Sequence, residues 1–176
     1  MNMNNAEFIE KLVRQMVWYP DEVSAKEVKT NTISLRVSSP DKPKIIGKSA
    51  RNILALNLIL RHRSSAHGQI MNLVMEETED DGRLTVRPVD YDEEWMRDPE
   101  LGELADWLFV ETCPTRQFNV QFDATEQEHA SVMKITIDHA LPGGLADAFV
   151  RYLTAVANNW GRKLHAGFYV GGRLIC

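Results

Sequence analysis

Apolar and polar residues alternate along the chain with two different periods. Over residues 6–19 the period is helical: Phe8, Ile9, Leu12, Val13, Met16 and Val17 form one stripe, while Glu7, Glu10, Lys11 and Arg14 turn away from it. Pro20 stops such a helix, because it has no N–H and clashes with the turn before it. Val23–Val28 predicts a strand and Lys29-Thr30-Asn31-Thr32 a polar turn. Ile33, Leu35 and Val37 alternate with Ser34, Arg36 and Ser38, the pattern of a half-buried strand. Pro40 and Pro43 bracket a short loop that leads to Ile45. From about Ser49 to Leu60 the chain is apolar nearly all round, which predicts a helix sandwiched between neighbours. After the polar break Ser64–Gly68, Ile70–Met75 reads as a further strand.

Residues 76–94 are a charge-dense connector, interrupted by a short strand candidate at Leu84-Thr85-Val86. Beyond it the first order of elements returns. A helix is expected over 99–110 on Leu101, Leu104, Ala105, Leu108 and Phe109. Strands follow on Phe118, Val120 and Phe122 and on Met133, Ile135 and Ile137. Then come a glycine loop, Leu141–Gly144, a helix from Leu145 to Trp160, a strand from His165 to Val170 and the turn Gly171-Gly172. An internal repeat of about 90 residues follows from this order of elements, with slight identity between the copies. The expected organisation is one domain over 1–75, the acidic connector over 76–94 and a second α+β domain over 95–176.

Composition narrows the class. With 44% apolar and 26% charged residues the chain suits a soluble globular protein. No apolar run approaches the ~20 residues of a membrane helix, and the N-terminus lacks the pattern of a signal peptide, so the cytoplasm is expected. Two cysteines, Cys113 and Cys176, make no disulfide framework, and no spacing suits a metal; no cofactor is expected. The net charge of −5 hides an asymmetry. Residues 1–75 carry 11 Lys/Arg and 6 Asp/Glu, net +5, and residues 76–176 carry 9 and 19, net −10.

The chemistry concentrates at Lys44-Ile45-Ile46-Gly47-Lys48-Ser49-Ala50-Arg51-Asn52-Ile53. A glycine lets backbone and ligand approach closely, and the first N–H groups of the helix that follows have no partner of their own. With Lys48 and Arg51 beside them, such donors attract phosphate. Gly-Lys-Ser also matches the end of a nucleotide-binding P-loop, but no glycine stands ahead of Gly47 at the distance that motif needs, which excludes it.

Ile46–Leu56 resembles the I-G-x-x-G-x-x-I-x-A-L signature of KH domains, above all that of the small single-domain bacterial KH RNA-binding proteins. Tyr19-Pro20-Asp21-Glu22-Val23 resembles the H-P-D-x-V turn these carry after their first helix, and the likeness covers residues 6–75. It implies an α+β fold: a type II KH-like αββααβ domain, followed by a second α+β unit of similar order, a degenerate KH-like repeat. It also implies single-stranded RNA as partner, contacted by Lys44, Ile45, Ile46, Gly47, Lys48, Ser49, Ala50, Arg51 and Ile53. Arg36, Arg61 and Arg63 are further electrostatic candidates, and Ile45, Ile46 and Ile53 are expected to floor the groove for bases.

The sequence departs from that pattern at Ala50, where the family has its second glycine. As the best helix former at a helix entrance, alanine should be accepted there, and glycine in its place should cost stability. Its methyl group would hold RNA further out. The alternative reading is a KH-like adaptor that has lost RNA binding, with the acidic C-terminal half serving a protein partner or self-association; no membrane contact is expected. Asp138-His139 and Cys113 lack the arrangement of a nucleophile and base, so no catalysis is expected. Trp18, Trp95, Trp107 and Trp160 read as core or interface residues.

Overall fold

In the computed structural model, which describes residues 3–83, 98–125 and 130–176, the first apolar stripe folds as helix α1 (Asn5–Arg14). Asn4 caps it: its side chain accepts the Glu7 N–H at 2.9 Å, and the Glu7 carboxylate accepts the Asn4 N–H at 3.1 Å. The helix ends five residues earlier than its apolar period predicts. The cause lies far away in sequence. The buried Asp41 carboxylate accepts the backbone N–H groups of Trp18 at 2.8 Å and Tyr19 at 3.0 Å, and so draws the chain out of the helix. Met16 and Val17 stay buried although they lie past the helix end, and Pro20 opens a 3₁₀ turn, Pro20–Glu22.

Strands β1 (Ser24–Lys29) and β2 (Thr32–Arg36) pair antiparallel through a turn in which Asn31 has φ 63°. Ile33 and Leu35 bury one face of β2. The expected loop between Pro40 and Pro43 is instead helical. A 3₁₀ turn, Ser39–Asp41, runs into helix α2 (Lys42–Ile46). Each proline sits in the first turn of its helix, where its fixed φ fits and its missing N–H has no partner to lose.

Helix α3 (Arg51–Ser65) buries Ala55, Leu56, Ile59 and Leu60, and Leu54 faces out at 61% exposure. Within its unit the helix is therefore covered on one side only, not sandwiched. Strand β3 (Asn72–Met75) then lies parallel to β2, giving the sheet order β1-β2-β3 and the element order αββααβ. The chain leaving β3 folds back on this unit. Arg83 grips Glu22 at 2.6 and 2.7 Å, pairs with Asp81 and lies over the Tyr19 ring at 4.6 Å. The start of the acidic connector is thus strapped down; Leu84-Thr85-Val86 lies outside the described residues.

The chain divides into two units, Met1–Tyr91 and Asp92–Cys176. The second is again mixed α+β. Helix α4 (Asp98–Thr112) precedes strands β4 (Phe118–Thr125) and β5 (Ala130–Ile137), which pair antiparallel. Helix α5 (Leu145–Asn159) leads to β6 (Lys163–Val170), parallel to β5. Past Gly171-Gly172 the chain adds β7 (Arg173–Leu174), a strand its two residues do not announce in sequence. The core centres on Phe109, whose ring lies 4.8 Å from those of Phe118 and Phe149 and 5.5 Å from that of Phe168. Helix, antiparallel pair, helix and parallel return follow in the same order as in the first unit, without a counterpart of α2 among the described residues. No described helix is long and apolar enough to cross a membrane.

Candidate nucleic-acid interface

Between α2 and α3 the chain turns through four residues, Gly47 to Ala50. Gly47 has φ 72° and ψ 171°, a conformation that only glycine adopts without strain. Its N–H donates to Pro43 O at 2.8 Å and closes α2. A Cβ on Gly47 would stand 2.6 Å from Asn52 Cγ and 2.8 Å from its Nδ2. Asn52 fills that space because its Nδ2 donates to Lys44 O at 2.8 Å, serving a carbonyl that the end of α2 leaves over. Asn52 falls at a position the KH signature leaves free, and its only sequence signal is a polar residue inside an apolar helix.

Ser49 and Ala50 then take left-handed conformations, φ 55° and φ 58°. This corrects the expectation for Ala50. It does not enter the helix; it precedes α3 in a region where its Cβ is strained and glycine is not. The Ala50 N–H donates to Gly47 O at 3.1 Å and tightens the loop. Helix α3 consequently begins without a side-chain cap, unlike α1 with its Asn4. Among the described residues the first-turn N–H groups of α3 meet no side-chain acceptor, and Lys48, Ser49 and Arg51 around them are exposed.

The other candidate residues divide. Ile46 is 39% exposed, Ile53 half-buried, and exposed Leu54, which the sandwiched helix expected over Ser49 to Leu60 would have covered, joins them as an apolar flank. Ile45 is fully buried and presents nothing to a base; it anchors α2 from beneath. Lys44 places its Nζ 3.5 Å from the centroid of the Trp18 ring and 3.9 Å from Asp41 Oδ1, which ties α2 to the turn after α1. Arg63 is buried, donates to Asn5 Oδ1 and Met3 O, and lies over the Phe8 ring, so it locks α3 to the start of α1 and is no ligand for phosphate. Arg61 is exposed on α3 and Arg36 on β2.

In the second unit, burial pushes the Cys113 thiol up to about 11, which leaves it protonated at neutral pH. His139 stands in solvent with Nδ1 3.1 Å from Asp138 Oδ2. The loop Leu141–Gly144 carries no cation.

Comparison with known proteins places this loop in context. A family model described as "KhpA/KhpB, KH domain" matches residues 6–84. The RNA-binding protein KhpA of Chlamydia pneumoniae is 40% identical over 75 residues, 40% of this chain and 96% of that protein. The proteins of the same name from Chlamydia trachomatis serovar D and Chlamydia muridarum are each 41% identical over 75 residues, with the same coverage. No solved structure gives a significant match.

Proposed function

Since the chain belongs to the KhpA/KhpB KH-domain family, we propose that its first unit binds single-stranded RNA at the Gly47–Ala50 loop, in the cytoplasm. The observation that carries this reading is the uncapped start of α3 framed by exposed Lys48, Ser49 and Arg51. A phosphate oxygen there would meet backbone N–H donors, the positive end of a 15-residue helix and two cations at once. Gly47 and the Asn52 side chain beneath it hold the loop in that shape without a ligand. The bases of about four nucleotides would lie along Ile46, Ile53 and Leu54, and sequence preference would come from their edges. The relatives that carry the name RNA-binding protein match this unit over nearly their whole length, which supports the reading. We assign no catalytic role to the chain, and its second α+β unit and connector to contacts with protein.

The test is photo-crosslinking of the full chain to a random single-stranded RNA pool, followed by peptide mapping. Crosslinks within residues 44–54 support the site. Crosslinks confined to the second unit, or none above a duplex DNA control, refute it.

A further inference from the structure

The cations of the first unit sort into those already engaged and those that are not. Arg14 pairs with Glu10 at 2.7 Å, Lys42 donates to Thr78 O, Lys44 lies on Trp18, Arg63 is buried on Asn5 and Arg83 grips Glu22. Lys11 is engaged as well. Six remain with no ion pair or hydrogen bond among the described residues. Lys48, Arg51 and Arg61 belong to the loop and to α3. Lys26, Lys29 and Arg36 do not: they lie on the sheet.

The register puts these three on one face. Lys26 pairs with Ser34, which pairs with Val74; Lys29 pairs with Thr32, which pairs with Asn72; Arg36 pairs with Ser24. Directly paired residues share a face, and every second residue along a strand returns to it; a register shift between Glu27 and Lys29 skips Val28 and brings Lys29 opposite Thr32. Ile33, Leu35 and Leu73, of the opposite parity, are buried, so Lys26, Lys29 and Arg36 stand on the uncovered face. Their companions there are exposed Ser24 and Asn72, half-buried Thr32, buried Ser34 and one exposed valine, Val74 at 44%. No carboxylate occupies this face within β1–β3. The acids gather at one end of it, where Asp21, Glu22, Glu76 and Glu79 line a pocket with Ser24 and Arg36, and where the hydrogen bond from Arg83, with Arg36 adding to it, holds the Glu22 carboxyl below its usual range.

We propose that this open sheet face is a second RNA contact, taking the sugar-phosphate backbone of the strand that continues beyond the nucleotides held at the loop. Lys26 and Lys29 meet phosphates, and the Thr32 hydroxyl with the exposed Asn72 amide bonds to phosphate and ribose oxygens. The contact is blind to sequence, because nothing on the face reads a base edge. It rests on the loop reading for the strand's anchorage. Lysines on an edge strand also deter pairing with other chains, so the test must separate the two roles.

The experiment uses the full chain and oligouridylates of about 4 and about 20 nucleotides, one filling the loop and one able to run past it. Lys26→Gln with Lys29→Gln should leave affinity for the short RNA unchanged and weaken the long one several-fold. The salt slope for the long RNA should fall by about 1.4, two phosphates' worth on a single strand. Lys48→Asp with Ser49→Asp should instead weaken both RNAs. Unchanged affinity and slope for the long RNA in the lysine variant overturn the inference and leave the loop reading intact. So does a lysine variant that self-associates without losing RNA. Loss of both RNAs in the lysine variant alone, with the loop variant unaffected, overturns the loop reading and with it the proposed division of labour. Circular dichroism of both variants checks the fold, which exposed side chains should not disturb.

Discussion

Gly47 and Asn52 occupy the same space: the carboxamide of Asn52 sits where a side chain on residue 47 would be, 2.6 Å from its Cβ position. The pair shapes the loop between α2 and α3 from both sides. Glycine supplies the backbone conformation, and the asparagine holds the last turn of α2 by its bond to Lys44 O at 2.8 Å. Lys48 and Ser49 are left exposed as a result.

Gly47→Ala should therefore destabilise the first unit by about 2–3 kcal/mol, through strain at positive φ and the collision with Asn52. Adding Asn52→Ala removes the contacts at 2.6 and 2.8 Å, keeps the one at 3.0 Å to the Cβ of residue 52 and leaves the strain, so the double variant should melt between wild type and the single variant. Thermal denaturation of the three proteins checks this. A double variant no better than Gly47→Ala would show that Asn52 is not what the glycine accommodates.

Ala50→Gly should stabilise the protein by roughly 0.5–1 kcal/mol, because relief of a left-handed alanine exceeds the entropy glycine adds to the unfolded chain. RNA affinity should rise at the same time, since the methyl group leaves the loop surface. Urea unfolding and RNA titration of one preparation give both signs. A loss of stability would place residue 50 within the helix after all.

Asp41 is buried and accepts three hydrogen bonds, from Trp18 N–H at 2.8 Å, Tyr19 N–H at 3.0 Å and Ser38 Oγ at 2.7 Å. Asp41→Ala leaves those donors without an acceptor and should cost about 3 kcal/mol, with little change in RNA affinity once folded. Denaturant unfolding measures the cost, and a value under about 0.5 kcal/mol would deny Asp41 its role in ending α1.

The strap over residues 76–83 should depend on acid. The hydrogen bond from Arg83 holds the Glu22 carboxyl below its ordinary value of 4.5, and the same side chain lowers Asp81 from 3.8. A depressed folded-state value stabilises the fold above the unfolded value, and the effect is lost as pH falls through the folded one. Hydrogen-exchange protection of residues 76–83 should hold from neutral pH to near 4.5 and fade below it. Arg83→Leu should lack that protection at neutral pH; equal protection in wild type and variant would contradict the account.

The order of elements was legible because local signals agree with the fold. The stripe on Phe8, Ile9, Leu12 and Val13 and the alternation at Ile33 and Leu35 bury the residues they mark. What escaped depends on partners distant in sequence or on loop geometry. The end of α1 is decided by Asp41, more than twenty residues on, and no window over residues 6–19 contains it. Arg63 reads as a surface cation until Asn5 and Phe8 enclose it. Ala50 follows the demand of a loop already turned by Gly47, against its own helix propensity. At the site, Gly47, Lys48, Ser49 and Arg51 were visible as a motif, whereas Asn52 and Leu54 were not, since propensity alone says nothing about which face of α3 is covered.

The central claim is that RNA is held at the Gly47–Ala50 loop, and Lys48→Asp with Ser49→Asp in the full chain tests it most directly. Both side chains are exposed, so helix content and melting temperature should stay close to wild type. Binding of a random single-stranded RNA pool at low salt should fall at least tenfold, about 1.4 kcal/mol, as two carboxylates face the phosphate. A folded double variant that binds that pool with wild-type affinity would contradict the account.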